Sequence, residues 1–163
     1  MFMKKTLGLL VVVSLVLNSC GKSGTSGCQP VPVASEKAQL IAYCGANSIN
    51  YTEDISGLLY EIITPGTGPT PTTSSTVSVV YTGKHFDNTT FDASANPYTN
   101  VLSNLIDGWK IGIPLIKKGG RIKLIIPSAL AYSCTGSIDP NTKQVIIKPN
   151  EPIFFDVTLT DVK

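Results

Sequence analysis

The chain has one histidine, one tryptophan and two methionines among 163 residues, and only 15% of its side chains are charged. Its single arginine is Arg121, and after residue 20 no basic run exceeds Lys117-Lys118. No nucleic acid is therefore expected as a partner, because neutralising phosphates takes many clustered cations. The same scarcity leaves no electrostatic footprint for an anionic membrane surface. The lone His85 has no partner pattern and no Cys-x-x-Cys occurs, so no metal site is expected, and no cofactor. There is no Gly-x-Ser-x-Gly elbow, no phosphate loop and no His-Glu-x-x-His. Carboxylates are scattered singly, so no hydrolytic or transfer machinery assembles.

Only one long apolar run is present, Leu7 to Leu17, and it is too short to span a bilayer comfortably. Preceded by Lys4-Lys5 and followed by Leu17-Asn18-Ser19-Cys20-Gly21, it reads as an export signal over residues 1–19. Its end resembles a bacterial lipobox, with Asn18 less usual at its place and Cys20 as the residue to be acylated. Ordinary signal cleavage with Cys20 left as a thiol is the alternative. A multi-acyl anchor would hold the chain at a membrane, since each buried methylene contributes about 0.8 kcal/mol. Without Lys4 and Lys5 the basic and acidic residues are equal, at eleven each. Export makes disulfides possible among Cys28, Cys44 and Cys134. Cys28 with Cys44 is the expected pair because both precede the main domain; the alternative is that all three stay as thiols.

Residues 20–34 are rich in Gly, Ser, Pro and Thr and read as a flexible tether. Residues 35–46 read as a short helix capped by Ser35, with Gly45 near its end. Leu58 to Ile63 reads as a strand closed by Pro65-Gly66-Thr67-Gly68-Pro69. Val77 to Tyr81 is a further strand, Asp87-Asn88 a tight hairpin turn, and Phe91-Asp92 the start of the next extended piece. Leu105 to Ile116 reads as a helix with one broad apolar face, shortened or bent by Pro114. Ile122, Leu124 and Ile126 alternate as in a half-buried strand, and Ile153, Phe155, Val157 and Leu159 do the same in the closing strand. Strands around one short helix make an α+β domain.

The aromatics Tyr81, Phe91, Trp109, Tyr132 and Phe155 each fall in or beside one of these elements. Taken alone they read as core, where aromatics dominate burial. Their context changes that. Tyr81-Thr82-Gly83, Phe91-Asp92-x-Ser94, Ile106-x-Gly108-Trp109, the run from Gly120 to Pro127, Leu130-Ala131-Tyr132, Ile147-x-Pro149-Asn150 and Phe155-Asp156-Val157 occur in this order. Over residues 58–163 the chain resembles the FKBP-type peptidyl-prolyl cis–trans isomerases.

The resemblance implies a curled antiparallel sheet, a half-barrel, wrapped around the Leu105 helix. It implies Trp109 as the pocket floor and Tyr81, Phe91 and Phe155 as its walls. Leu105 and Ile106 would form the rim, with the Ile106 N–H offered to substrate. Tyr132 would supply a hydroxyl, Asp92 would lie beside the twisting amide, and Ile146 and Ile147 would belong to a flap over the mouth. Tyr98 falls near a further family aromatic position whose spacing leaves it unassigned. The layout is then signal 1–19, tether 20–34, helical leader 35–57 and isomerase domain 58–163. The expected partners are proline-containing, unfolded or partly folded exported proteins, met on the periplasmic side of the outer membrane. Ser133 stands where the family has glycine, and Lys148 replaces a proline. These departures keep a second expectation open, a catalytically weak, membrane-anchored module that grips peptides.

Overall fold

The run Leu124–Ile126 is apolar on both sides of the strand it forms, and so is Phe154-Phe155. A strand with apolar side chains on both faces must be covered on both. A computed structural model describes residues 27–163 and shows how. The signal, Cys20 and the first part of the tether lie outside the described residues.

Helix α1 spans Val33–Ala46, followed by strands β1 (Thr52–Glu53), β2 (Leu59–Thr64), β3 (Thr76–Lys84) and β4 (Thr90–Val101). Helix α2 is Asp107–Gly112, continued by one 3-10 turn over Ile113–Leu115, so the expected helix from Leu105 to Ile116 is shorter, its α-helical part stopping two residues before Pro114. Strand β5 (Arg121–Ile126), a small hairpin of β6 (Ser137–Ile138) and β7 (Val145–Ile147), and β8 (Ile153–Val162) complete the chain.

Six strands form one antiparallel sheet in the order β1-β2-β5-β8-β3-β4. On one face Leu124, Ile126, Phe155, Val157 and Leu159 pack with Trp109, Ile113 and Ile116 of the α2 segment. On the other, Leu59, Ile125 and Phe154 pack against Leu40, Tyr43 and Cys44 of α1 and against Ile49. The curled half-barrel expected above is overturned: the sheet is flat and open, with β1 and β4 as its edges. The physical reason lies in α1. A sheet wound around α2 would turn its convex face to solvent, whereas here that face is apolar and a second helix lies on it. Pro97 sits in β4 at the edge of the sheet, where a missing N–H breaks no inner ladder.

Two local expectations are corrected as well. Ser35 does not cap α1; the cap position is Pro32, whose carbonyl accepts the Ser35 N–H at 2.9 Å. Proline suits a helix entrance because its φ is preset. The disulfide joins Cys28 to Cys134, not to Cys44. Cys44 is a buried free thiol in α1 against the sheet, while Cys28 is carried to the turn after Tyr132. Residues of the expected tether are thereby fastened down. Asn150 accepts the Val31 N–H at 3.3 Å and donates from Nδ2 to the Gln29 carbonyl at 3.1 Å. The nearly buried Glu36 carboxylate accepts the Ser128 N–H at 2.8 Å, tying α1 to the turn that follows β5.

Burial pushes the Cys44 thiol up from 9.0 to about 11. A raised folded-state value contributes stability below the ordinary thiol range and loses it as pH rises through the folded value. Stability is therefore expected to decline between about pH 9 and 11, and Cys44→Ala is expected to flatten that decline. Urea unfolding across this range, with mass-spectrometric readout of Cys44 alkylation, checks it. Cys44 should react at pH 8 only when the chain is unfolded.

Candidate functional site

Antiparallel pairing of β3 with β8 sets Tyr81 opposite Val157 and Gly83 opposite Phe155. Pairing of β3 with β4 sets Gly83 opposite Asp92, beside Phe91. Gly83 is needed here because two rings close over it. A Cβ at this position would lie 2.6 Å from the Phe155 ring and 2.8 Å from that of Phe91. Without it the two rings meet edge to face, with centroids 5.5 Å apart.

Phe155 in turn meets Trp109 at 5.0 Å and 84°, and Tyr81 meets Trp109 at 5.3 Å and 79°. These T-shaped contacts set the positive edge of one ring against the negative face of another, each adding roughly 0.5–1.5 kcal/mol beyond area burial. Helix α2 brings Trp109 to this point by packing tightly on β5. Gly112 lies so near Leu124 that any side chain there would collide with it.

Together these residues bound a cavity of about 120 Å³ lined by Tyr81, Asp92, Tyr98, Leu105, Ile106, Trp109, Tyr132 and Phe155. Seven of them are residues named from the sequence. Tyr98, left unassigned above, is the eighth; it meets the Tyr81 ring edge-on at 6.1 Å. A β4 bulge opposite β3 shifts the register at this point, which sequence spacing does not reveal. Phe91 stands behind Phe155 rather than on the cavity surface. Ile146 and Ile147 lie elsewhere. Ile147 is buried in the core, and Ile146 opens on a separate cavity with His85 and Glu151.

The polar groups are few and placed. The Tyr81 hydroxyl donates to Asp92 Oδ2 at 2.7 Å. Burial, then this bond, pushes the Tyr81 phenol well above its ordinary range, and burial also raises Tyr132. Both phenols thus stay protonated as donors across neutral and mildly alkaline pH. The Ile106 carbonyl accepts from Trp109 and Lys110, while its own N–H finds no acceptor among the described residues. The Trp109 Nε1–H is buried and likewise unpartnered.

Tyr132 sits at the head of a turn that is held from three sides. Its carbonyl accepts the Thr135 hydroxyl at 2.6 Å and the Gly136 N–H at 3.1 Å. Ser133, in the usual glycine position, keeps a left-handed φ of 51°, and its carbonyl accepts the Asn150 N–H at 2.8 Å. Cys134 carries the disulfide to Cys28. The arrangement suits an apolar guest with one or two carbonyls, and it supplies no nucleophile–base pair.

The profile of the FKBP-type peptidyl-prolyl cis–trans isomerases matches residues 68–160. The chain is 42% identical over 111 residues to the isomerase FkpA of Escherichia coli, covering 66% of this chain and 38% of that one. It is 38% identical over 111 residues to the outer membrane protein MIP of Legionella longbeachae, covering 66% and 45%. The crystal structure of FkpA superposes with a TM-score of 0.67 at 35% identity, covering 80% of this chain and 61% of that one. A peptidyl-prolyl isomerase structure from Pseudomonas syringae pv. tomato gives 0.66 at 28% identity, covering 83% and 98%. The chain thus spans about two fifths of the length of the curated relatives it matches.

Gly83→Ala is expected to drive the Phe91 and Phe155 rings apart and to cost about 1–3 kcal/mol, the usual range for overpacking. Thermal and urea unfolding measure the loss, and Trp109 fluorescence, from the only tryptophan, should report the disturbed ring contacts.

Proposed function

The chain belongs to the FKBP-type peptidyl-prolyl cis–trans isomerase family, and on that premise we propose that it catalyses cis–trans isomerisation of Xaa–Pro bonds in exported polypeptides. The observation that carries the proposal is the aromatic cavity floored by Trp109, with Tyr81, Asp92, Tyr132 and Phe155 around it.

The reaction needs no covalent step. An Xaa–Pro amide must lose its resonance to rotate, against a barrier of about 18–20 kcal/mol. The planar amide is the more polar form and water stabilises it. Transfer into an apolar, water-excluding cavity therefore favours the twisted form. Binding that is tighter for the twisted than for the planar amide is the whole of the rate enhancement. In this reading the prolyl ring sits on Trp109 between Tyr81 and Phe155, with Phe91 backing Phe155. The Ile106 N–H and the Tyr132 hydroxyl hold carbonyls of the flanking chain. Asp92, engaged by Tyr81, lies beside the rotating bond. Leu105 shapes the rim, and Ile146 and Ile147 set the flap.

The substrates proposed are unfolded or partly folded proteins, for which uncatalysed isomerisation takes tens to hundreds of seconds. The export signal and Cys20 support a membrane-anchored lipoprotein on the periplasmic side of the outer membrane, and one relative carries the name of an outer membrane protein.

The test is isomerisation of a short peptide with a hydrophobic residue before proline. The wild type should accelerate it, and Asp92→Ala should lower kcat/KM by at least about tenfold, equivalent to about 1.4 kcal/mol of transition-state stabilisation, with its melting temperature retained. A folded wild type that binds the peptide without accelerating it would favour the peptide-gripping module.

A further inference from the structure

The single histidine of the chain is not part of the aromatic cavity, yet it is packed against it from behind. His85 follows β3, at the start of the hairpin that leads into β4. Its ring lies on that of Phe91, with centroids 5.1 Å apart. Its Nδ1 is 2.7 Å from Glu151 Oε1, across 66 residues of sequence. The other Glu151 oxygen accepts the Lys148 N–H at 2.7 Å, closing the turn between β7 and β8. Both side chains are mostly buried, at 22% and 19% exposed.

The hairpin holding His85 is itself well ordered by its own bonds. The His85 N–H donates to the Thr89 carbonyl, the His85 carbonyl accepts the Asn88 N–H, and Asp87 Oδ1 accepts both the N–H and the hydroxyl of Thr89. Four contacts in series therefore join the flap turn to the cavity: Lys148 to Glu151, Glu151 to His85, His85 to Phe91, and Phe91 to Phe155.

We propose that His85 is a positioning residue for the isomerase pocket: held by Glu151, its ring keeps Phe91 seated against Phe155, and gain of a proton tightens that hold. The inference rests on the isomerase reading above.

The direction follows from charge. A neutral imidazole gives Glu151 one ordinary hydrogen bond; an imidazolium gives it a charge-assisted one, roughly twice as strong. The charged groups sharing the small cavity are Glu151 and Lys148 from the flap turn and Asp87 from the hairpin. Imidazole is the side chain that ordinarily changes charge between pH 5 and 8.

The experiment measures kcat/KM for an Xaa–Pro peptide from pH 5.5 to 8.5 in the full chain, in Glu151→Gln and in His85→Phe. Binding of the same peptide is followed in parallel by Trp109 fluorescence. In the wild type kcat/KM should be about threefold higher at pH 6 than at pH 8. Both variants should be flat across the range, and their melting temperatures show whether they remain folded. His85→Phe keeps a ring against Phe91, so it separates loss of the charge from loss of packing. A flat wild type, or a pH step that survives in both variants, overturns the proposal. If the wild type binds peptide but turns nothing over, the isomerase reading fails and the same pH criteria applied to binding decide the role of His85. If it neither binds nor turns over, both fall.

Discussion

One missing side chain governs the site. Gly83 stands next to the last residue of β3, paired with Phe155 on one side and Asp92 on the other, and the space its Cβ would occupy is filled by two aromatic rings. Everything on the cavity wall is referred to that contact. Phe155 is seated by it, Trp109 packs on Phe155, and Tyr81 packs on both. The Tyr81 hydroxyl then has one place to go, the Asp92 carboxylate on the neighbouring strand. A network of edge-to-face rings tolerates little displacement, because each pair depends on its spacing and mutual tilt. Such a wall is already shaped before a ligand arrives, so less of the binding energy is lost to ordering it.

The sheet behind the site is shared between two helices. Strands β5 and β8 turn Leu124, Ile126 and Phe155 toward α2, and Ile125 and Phe154 toward α1. The leader helix is thus a structural layer. Its own Leu40 and Cys44 are almost wholly buried against the sheet, and Glu36 reaches across to the Ser128 N–H. The covered second face accounts for a flat sheet where a curl was expected. It also places the cross-strand ion pairs, Lys123 with Glu61 and Arg121 with Asp156, on the half of that face that α1 leaves uncovered.

Much of the site was legible because its residues are held by short-range pattern. Taken alone, Tyr81-Thr82-Gly83 and Phe155-Asp156-Val157 read only as strand segments with core side chains; it is seven short motifs in a fixed order, and the family resemblance they carry, that point to a pocket. Ile106-x-Gly108-Trp109 is the first turn of a helix whose packing needs small residues. What was not legible depended on contacts far apart in sequence. The apolar run Leu124–Ile126 signals a strand covered on both faces only if the second covering element is known. The partner of Cys28 is fixed by the turn after Tyr132, 106 residues on, not by proximity along the chain. Tyr98 reaches the cavity through a bulge, which shifts register without marking the sequence. His85 looked isolated because Glu151 is brought to it only by the return of β8 beside β3.

The disulfide has a mechanical consequence. Covalently, the shortest route from Cys28 to the C-terminus runs through Cys134 and bypasses every residue between them. A pull on the chain ahead of Cys28 is therefore carried along this bridge to the turn beside Tyr132 and on through the flap to β8. Helix α1, strands β1 to β5 and the α2 segment, which hold the cavity floor and most of its wall, are outside the load path. A protein hung by its N-terminal end in this way would bear tension at the rim of its pocket while the rings at the bottom stay slack.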